Sequence, residues 1–241
     1  MSVIQTILQA AASQAYGAAR AIGNRCTAAL AALTLLLAIP VGAASEPLRL
    51  VALGDSLTQG YGLPSDDGFV PQLQGWLQGQ GLDVEVINAG VSGDTTAGGL
   101  SRMDWTLAEP VDAMLVILGG NDLLRGINPE ASRENLDGIL SRLGREGIPA
   151  MLAGLPAPGN YGPEFQRAFD RMYIDLAGIH DVRLYPDFMQ PLSDKAEAGQ
   201  SFSDLMQDDH IHPNADGVAL IVEGIGPEVQ AFLEQVLEER A

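Results

Sequence analysis

Cysteine is nearly absent: the 241 residues contain one, Cys26. A single thiol cannot close a disulfide within the chain, so stability must come from packing, and a chain of this length can bury a full-sized core without staples. Basic residues are also scarce, 13 Lys+Arg against 31 Asp+Glu, for a formal net charge of -18. That balance argues against nucleic-acid phosphates as partners and disfavours tight electrostatic binding to anionic lipid. No apolar run reaches the ~20 residues needed to span a bilayer. Acidic residues in turn are missing from everything before Glu46, whereas Arg20 and Arg25 precede an apolar run over residues 27–39. A positive flank, a short apolar stretch and the small-residue exit Val41-Gly42-Ala43-Ala44 predict a secretory signal peptide over residues 1–44, cut after Ala43 or Ala44. The competing reading is an uncleaved anchor, for which the run is short. Asn24-Arg25 before Cys26 does not suit lipidation, so Cys26 is expected to leave with the leader. The mature chain, residues 45–241, would then hold 11 basic and 31 acidic residues, a net charge of -20, with no Cys and no integral membrane span. A periplasmic or secreted location follows.

Beyond the leader there is no internal repeat and no low-complexity linker, so a single domain is expected. Strand-length apolar runs at 48–53, 84–87, 113–118, 150–155 and 182–185 alternate with helical spacing at 69–77, 95–107, 132–145, 165–179 and 216–239. The uninterrupted run Ala-Met-Leu-Val-Ile-Leu at 113–118 is the pattern of a strand buried on both faces. The alternation implies a three-layer α/β/α sandwich, flavodoxin-like, with a mostly parallel central sheet and its ligand site at the carboxyl ends of the strands. A polar, irregular stretch is expected from Pro191 to His212, and a break in the last helix at Gly226-Pro227.

Chemistry-bearing residues gather at those strand ends. The first strand runs into Gly54-Asp55-Ser56-Leu57, which sets a hydroxyl at the rim of the ligand crevice. The second ends in Asn88-Ala89-Gly90, where glycine lets the backbone approach a reacting carbonyl, and the third in Gly119-Gly120-Asn121-Asp122, which adds an amide. Each could be a turn residue taken alone. Only three histidines are available, His180, His210 and His212. His180 falls at a predicted helix end and reads as structural. Asp209 stands three residues before His212, a spacing that lets a carboxylate hydrogen-bond the imidazole and fix its tautomer. Asp208, Asp209, His210 and His212 could instead ligate a metal, but His210 and His212 would point to opposite sides of an extended segment, and nothing else completes a shell. Gly60-Tyr61-Gly62 begins like a dinucleotide fingerprint, yet the third glycine is missing and Pro64 interrupts the helix such a motif must open. No Gly-x-Ser-x-Gly elbow occurs, against an ordinary α/β-hydrolase.

Together these blocks resemble the SGNH, or GDSL, hydrolase family: Gly54-Asp55-Ser56-Leu57, Gly90, Gly119-x-Asn121-Asp122 and Asp209-x-x-His212, in order and across the whole mature chain. Asn88-Ala89-Gly90-Val91-Ser92-Gly93-Asp94-Thr95, Asn160-Tyr161-Gly162 and the stretch from Met206 to Asn214 are similar to the exported multifunctional acyl-CoA thioesterase, lysophospholipase and arylesterase group. The resemblance implies Ser56 as nucleophile, His212 as general base and then acid, and Asp209 as its orienting partner. It implies an oxyanion hole from the N–H groups of Ser56 and Gly90 and the Asn121 amide, a structural role for Asp55, and neither metal nor cofactor. His210, Leu123 and the insert Ala157-Pro158-Gly159 depart from the pattern, which bears on acyl chain length.

The expected activity is a carboxylic-ester or thioester hydrolase working through an acyl-enzyme on Ser56, on a small acyl ester, thioester or lysophospholipid. Leu57, Leu63, Leu123, Leu124, Ile127 and Tyr161 are apolar near the rim, and Leu57, Leu123, Leu124 and Tyr161 are the expected substrate contacts. A carbohydrate acetyl esterase on the same fold is the alternative, and a non-catalytic exported ligand-binding protein is the second. The chain is expected to be monomeric.

Overall fold

A strand apolar at every position cannot face water on either side, and the run at 113–118 indeed supplies the middle of the sheet: every residue of β3 (Ala113–Ile117) is buried. The structure is a computed structural model that describes residues 46–240. The expected leader with Cys26 lies outside the described residues. β1 (Leu48–Gly54) flanks β3 on one side and β4 (Ala150–Ala153) on the other, both almost wholly buried. β2 (Val84–Gly90) alternates, with Val84 and Val86 inward and Glu85 outward, as an edge strand should. β5 (Arg183–Tyr185) forms the opposite edge. Among the described residues the sheet order is β2-β1-β3-β4-β5 and all four pairings are parallel.

The connecting helices cover both faces. α1 (Ser56–Gln59) and α2 (Phe69–Gly79) follow β1. α3 (Thr96–Ser101) and α4 (Met103–Thr106) follow β2, and α5 (Gly120–Leu124) and α6 (Pro129–Glu146) follow β3. α7 (Pro163–His180) follows β4, and α8 (Gln190–Glu197) and α9 (Ala215–Arg240) complete the chain. α2 packs against α9, while α6 packs against α3 and α7. Right-handed crossovers from a strand order that reverses at β1 require this division into two helical layers. The reversal opens a crevice beyond the carboxyl ends of β1 and β3, where ligands bind in folds of this kind.

Three local expectations need correction. The helix expected over 95–107 is two short ones, because Arg102 is drawn aside to Asp94 and the Gly54 carbonyl and leaves helical geometry at the junction. The stretch from Pro191 to His212 is not wholly irregular: α8 runs into it from Gln190, and a 3-10 turn at Phe202–Leu205 lies within it. α8 buries only Leu192, so no periodic stripe announces it. Gly226-Pro227 does not break α9. One lost hydrogen bond at Pro227 is outweighed by an apolar stripe that continues across it through Ile221, Val222, Ile225, Val229, Phe232 and Leu233, and Gly226 gives the Trp76 indole room to lie on the helix.

Two glycines in helices should therefore respond in opposite ways to alanine. Gly144 faces open space, so Gly144→Ala should stabilise by about 0.5–1 kcal/mol. A Cβ on Gly226 would sit 2.8 Å from the Trp76 ring, so Gly226→Ala should destabilise by about 1–3 kcal/mol. Urea denaturation of both variants checks the pair.

Candidate active site

Asp55 follows the last residue of β1 and caps α1, accepting the Leu57 N–H at 3.0 Å. A side chain at Gly54 would collide with Thr58, so glycine is what lets the strand turn this tightly into the helix. Ser56 then opens α1 with its N–H lacking any intrahelical acceptor and its hydroxyl at the crevice. From the far end of the chain, a loop pinned by the antiparallel bridge between Met206 and Pro213 brings His212 to it. Ser56 Oγ lies 2.8 Å from His212 Nε2, and His212 Nδ1 lies 2.6 Å from Asp209 Oδ2. Asp209 Oδ1 accepts the N–H groups of Ile211 and His212 at 2.9 and 3.0 Å. These bonds, the backbone one from His212 foremost, hold the Asp209 carboxyl down to about 2 although it is exposed to solvent. An ionised Asp209 accepts from Nδ1, which leaves Nε2 free to accept the Ser56 proton.

The Asp55 carboxyl is the opposite case. Burial pushes it up to about 6, against the opposing pull of the Leu57 N–H and the Asn121 amide. Asn121 Nδ2 donates to Asp55 Oδ2 at 3.2 Å, which fixes the amide and leaves its second proton for another acceptor. Asp122 beside it is fully buried and accepts from the Thr96 N–H, the Thr96 hydroxyl and the Ser132 hydroxyl at 2.9, 2.6 and 2.7 Å, tying α5 to α3 and α6.

Gly90 does not offer the free N–H expected of it. Its N–H donates to Asn88 Oδ1 at 2.9 Å, and its α-carbon is packed against the Gln59 backbone. Three residues on, Gly93 sits at φ +83, donates its N–H to no acceptor among the described residues and has its carbonyl held by Arg125 at 2.7 Å. The signal that could have picked it out is its place in Ser92-Gly93-Asp94-Thr95, just before the cap of α3. The segment carrying His210 and His212 is a tight loop, not extended, and His210 occupies the left-handed region at φ +56. His180 pairs with Asp137 at 2.7 Å at the end of α7.

Beside Ser56, Asn121 and His212 opens a cavity of about 260 Å³. Leu57, Leu123, Leu124 and Tyr161 line it, joined by Leu155, Met189 and Ile211, which sequence reasoning did not select. Leu63 lies apart from it, against Phe69 and Phe188, and Ile127 is absent from its wall. The additional residues come from three separate loops, whose convergence only the fold reveals.

The family model for GDSL-like lipase/acylhydrolases matches residues 52–220. The chain belongs to this family. It is 37% identical over 185 residues to the esterase TesA of Pseudomonas aeruginosa, covering 76% of this chain and 89% of that one. It is 34% identical to thioesterase 1/protease 1/lysophospholipase L1 of Escherichia coli over 185 residues, 76% of this chain and 84% of that one. Among solved structures it is similar to AlinE4, a SGNH-hydrolase family esterase, with a TM-score of 0.64 and 42% identity over 76% of this chain and 95% of that one.

A carboxyl raised in the folded state binds its proton more tightly there than when unfolded, so stability falls as pH rises between the two values. Asp55 should therefore cost on the order of 3 kcal/mol of stability as pH rises from about 4 to about 6. Asp209, lowered, contributes with the opposite sign and only at more acid pH. Urea midpoints at intervals over pH 4–7 should slope less in Asp55→Asn than in the unaltered protein; equal slopes would remove Asp55 as the cause.

Proposed function

We propose that this chain is a serine esterase that hydrolyses acyl esters and thioesters through an acyl-enzyme on Ser56. The observation that carries the reading is the continuous hydrogen-bonded series Ser56–His212–Asp209 at the mouth of an apolar cavity. His212 Nε2 takes the hydroxyl proton while Ser56 Oγ bonds to the acyl carbon, and the carbonyl pair moves to oxygen. The oxyanion meets the Ser56 N–H and the free proton of the Asn121 amide, with the Gly93 N–H as third donor in place of Gly90. Collapse expels the alcohol or thiol, which takes the proton from His212. Water then repeats the attack through the same base and frees the acid.

The substrate is a small acyl ester or thioester whose chain enters the cavity lined by Leu57, Leu123, Leu124 and Tyr161. The apolar part of the wall, Leu57, Leu123, Leu124, Leu155, Met189 and Ile211, favours an acyl chain over a sugar, against a carbohydrate acetyl esterase. Export follows from the leader reading of residues 1–44, with a single catalytic domain over 45–241 working as a monomer in the periplasm or outside the cell. Lysophospholipid is a candidate substrate, by analogy with the activity in the name of the Escherichia coli relative.

Ser56→Ala should abolish turnover of p-nitrophenyl acyl esters while the protein stays folded, and near-normal rates would sink the assignment. Asn121→Ala should lower kcat by ~100- to 1000-fold, and Asp209→Asn, which no longer enforces the reactive tautomer, by ~10,000-fold. A chain-length series of p-nitrophenyl esters, acyl-CoAs and a lysophospholipid on the same preparation decides the substrate. Preference for acetyl groups on sugars over all of these would overturn the acyl-chain reading.

A further inference from the structure

Gly60-Tyr61-Gly62, the fragment that starts a nucleotide-binding motif and does not finish it, is held in place by independent contacts. The N–H groups of Gly60 and Tyr61 both donate to the Ser56 carbonyl at 3.1 Å, so the turn hangs from the proposed nucleophile's own backbone. Its two glycines have φ of +84 and +76, which other residues adopt only under strain. A side chain on Gly62 would also collide with the Gln207 amide. Gln207 is the clamp: its Nε2 donates to the Tyr61 carbonyl at 2.8 Å and the Pro213 carbonyl at 2.9 Å, and its N–H donates to the His212 carbonyl at 2.8 Å. One residue thus fastens the Tyr61 turn to the loop that carries His212.

The result is a ring on a ring. The Tyr61 and His212 centroids are 4.7 Å apart with planes inclined at 40°. Both nitrogens of His212 are already engaged, Nε2 with Ser56 and Nδ1 with Asp209, so only the faces of the imidazole remain for further support. We propose that Tyr61, clamped by Gln207, is a positioning residue whose π face favours the imidazolium formed when His212 takes the Ser56 proton. An aromatic face within ~6 Å attracts a cation, and the attraction is modest where, as here, the ring is half exposed at 51%. The other charges acting on the imidazole are Asp209 at Nδ1 and the buried Asp55 carboxylate behind the nucleophile. Asp208 and His210 stand exposed in the same loop. None of these lies in stacking contact with the ring, so replacing Tyr61 changes one influence and leaves the rest.

The inference rests on the esterase reading for its kinetic consequence, so its test includes a readout that does not. Tyr61→Leu keeps bulk and loses the π face; Tyr61→Phe keeps both. With p-nitrophenyl butyrate, Tyr61→Leu should lower kcat about two- to five-fold with KM unchanged, while Tyr61→Phe matches the unaltered protein. The acid limb of kcat/KM in Tyr61→Leu should move to lower pH by about half a unit, because a less favoured imidazolium loses its proton sooner. The ring C–H resonances of His212, followed by NMR across the same pH range, should show the same displacement whether or not any ester is turned over. Equal titrations in Tyr61→Leu and the unaltered protein, a change in KM alone, or an equal loss in Tyr61→Phe would each overturn the proposal. Absence of Ser56-dependent turnover alongside a displaced titration would instead overturn the esterase reading and leave the ring contact standing.

Discussion

Asp55 is 2% exposed, and its two carboxylate oxygens serve different parts of the fold: one caps the helix that begins with Ser56, and the other holds the Asn121 amide beyond β3. Its side chain thus links the turn that carries Ser56 to the Asn121 amide. Because it is an acceptor on both sides, it can fix both only while both partners donate, which sets the orientation of Asn121 and so of the amide proton left over. The rise of its carboxyl to about 6 is the electrostatic consequence of putting that junction in the interior. A shallower site would relieve the desolvation and release the amide.

Around this junction the loops after β1, β2 and β3 are tied into one body. Arg102 reaches from the end of α3 to Asp94 at 2.6 Å and to the Gly54 carbonyl at 2.9 Å. Arg125 holds the Gly93 carbonyl, and Asp122 gathers α3 and α6 onto α5. The loop with Asp209 and His212 is tethered differently. It is closed by its own bridge, and Asn214 accepts the Gly217 N–H at the start of α9, while near Ser56 it meets the rest through His212 and the Gln207 clamp. Two separately tied pieces therefore meet at the Ser56–His212 contact and at the Gln207 clamp.

The sequence was most legible where burial is uniform or periodic. A run apolar at every position can only be a strand covered on both sides, which made β3 readable, and the stripe of α9 persists through a proline because burial outweighs one lost hydrogen bond. α8, with one buried leucine, carried no such pattern. At the site, Ser56, Asn121, Asp209 and His212 were visible as residue types at strand ends and at a short spacing. A glycine at the end of β2 predicts an available N–H at Gly90, but a free N–H depends on whether a neighbour claims it, and Asn88 does. Local spacing cannot show that. Nor could it show that Leu155, Met189 and Ile211 converge on one cavity, since they are separated by tens of residues and brought together by crossover geometry.

The two aspartates near His212 divide their work by environment. Asp209 is exposed yet strongly acidic, because three hydrogen bonds favour its charge and little is lost to desolvation. Asp55 is buried and weakly acidic, because desolvation outweighs two hydrogen bonds. Between about 6 and about 2 the first stays ionised while the second takes up a proton. Acid therefore disturbs the grip on Asn121 well before it disturbs the carboxylate that holds His212. A carboxylic acid at Asp55 must itself donate, and if that proton turns toward Asn121 it faces the amide's own N–H. The Asn121 side of the site is thus the more acid-sensitive, and the cause is the burial that organises it.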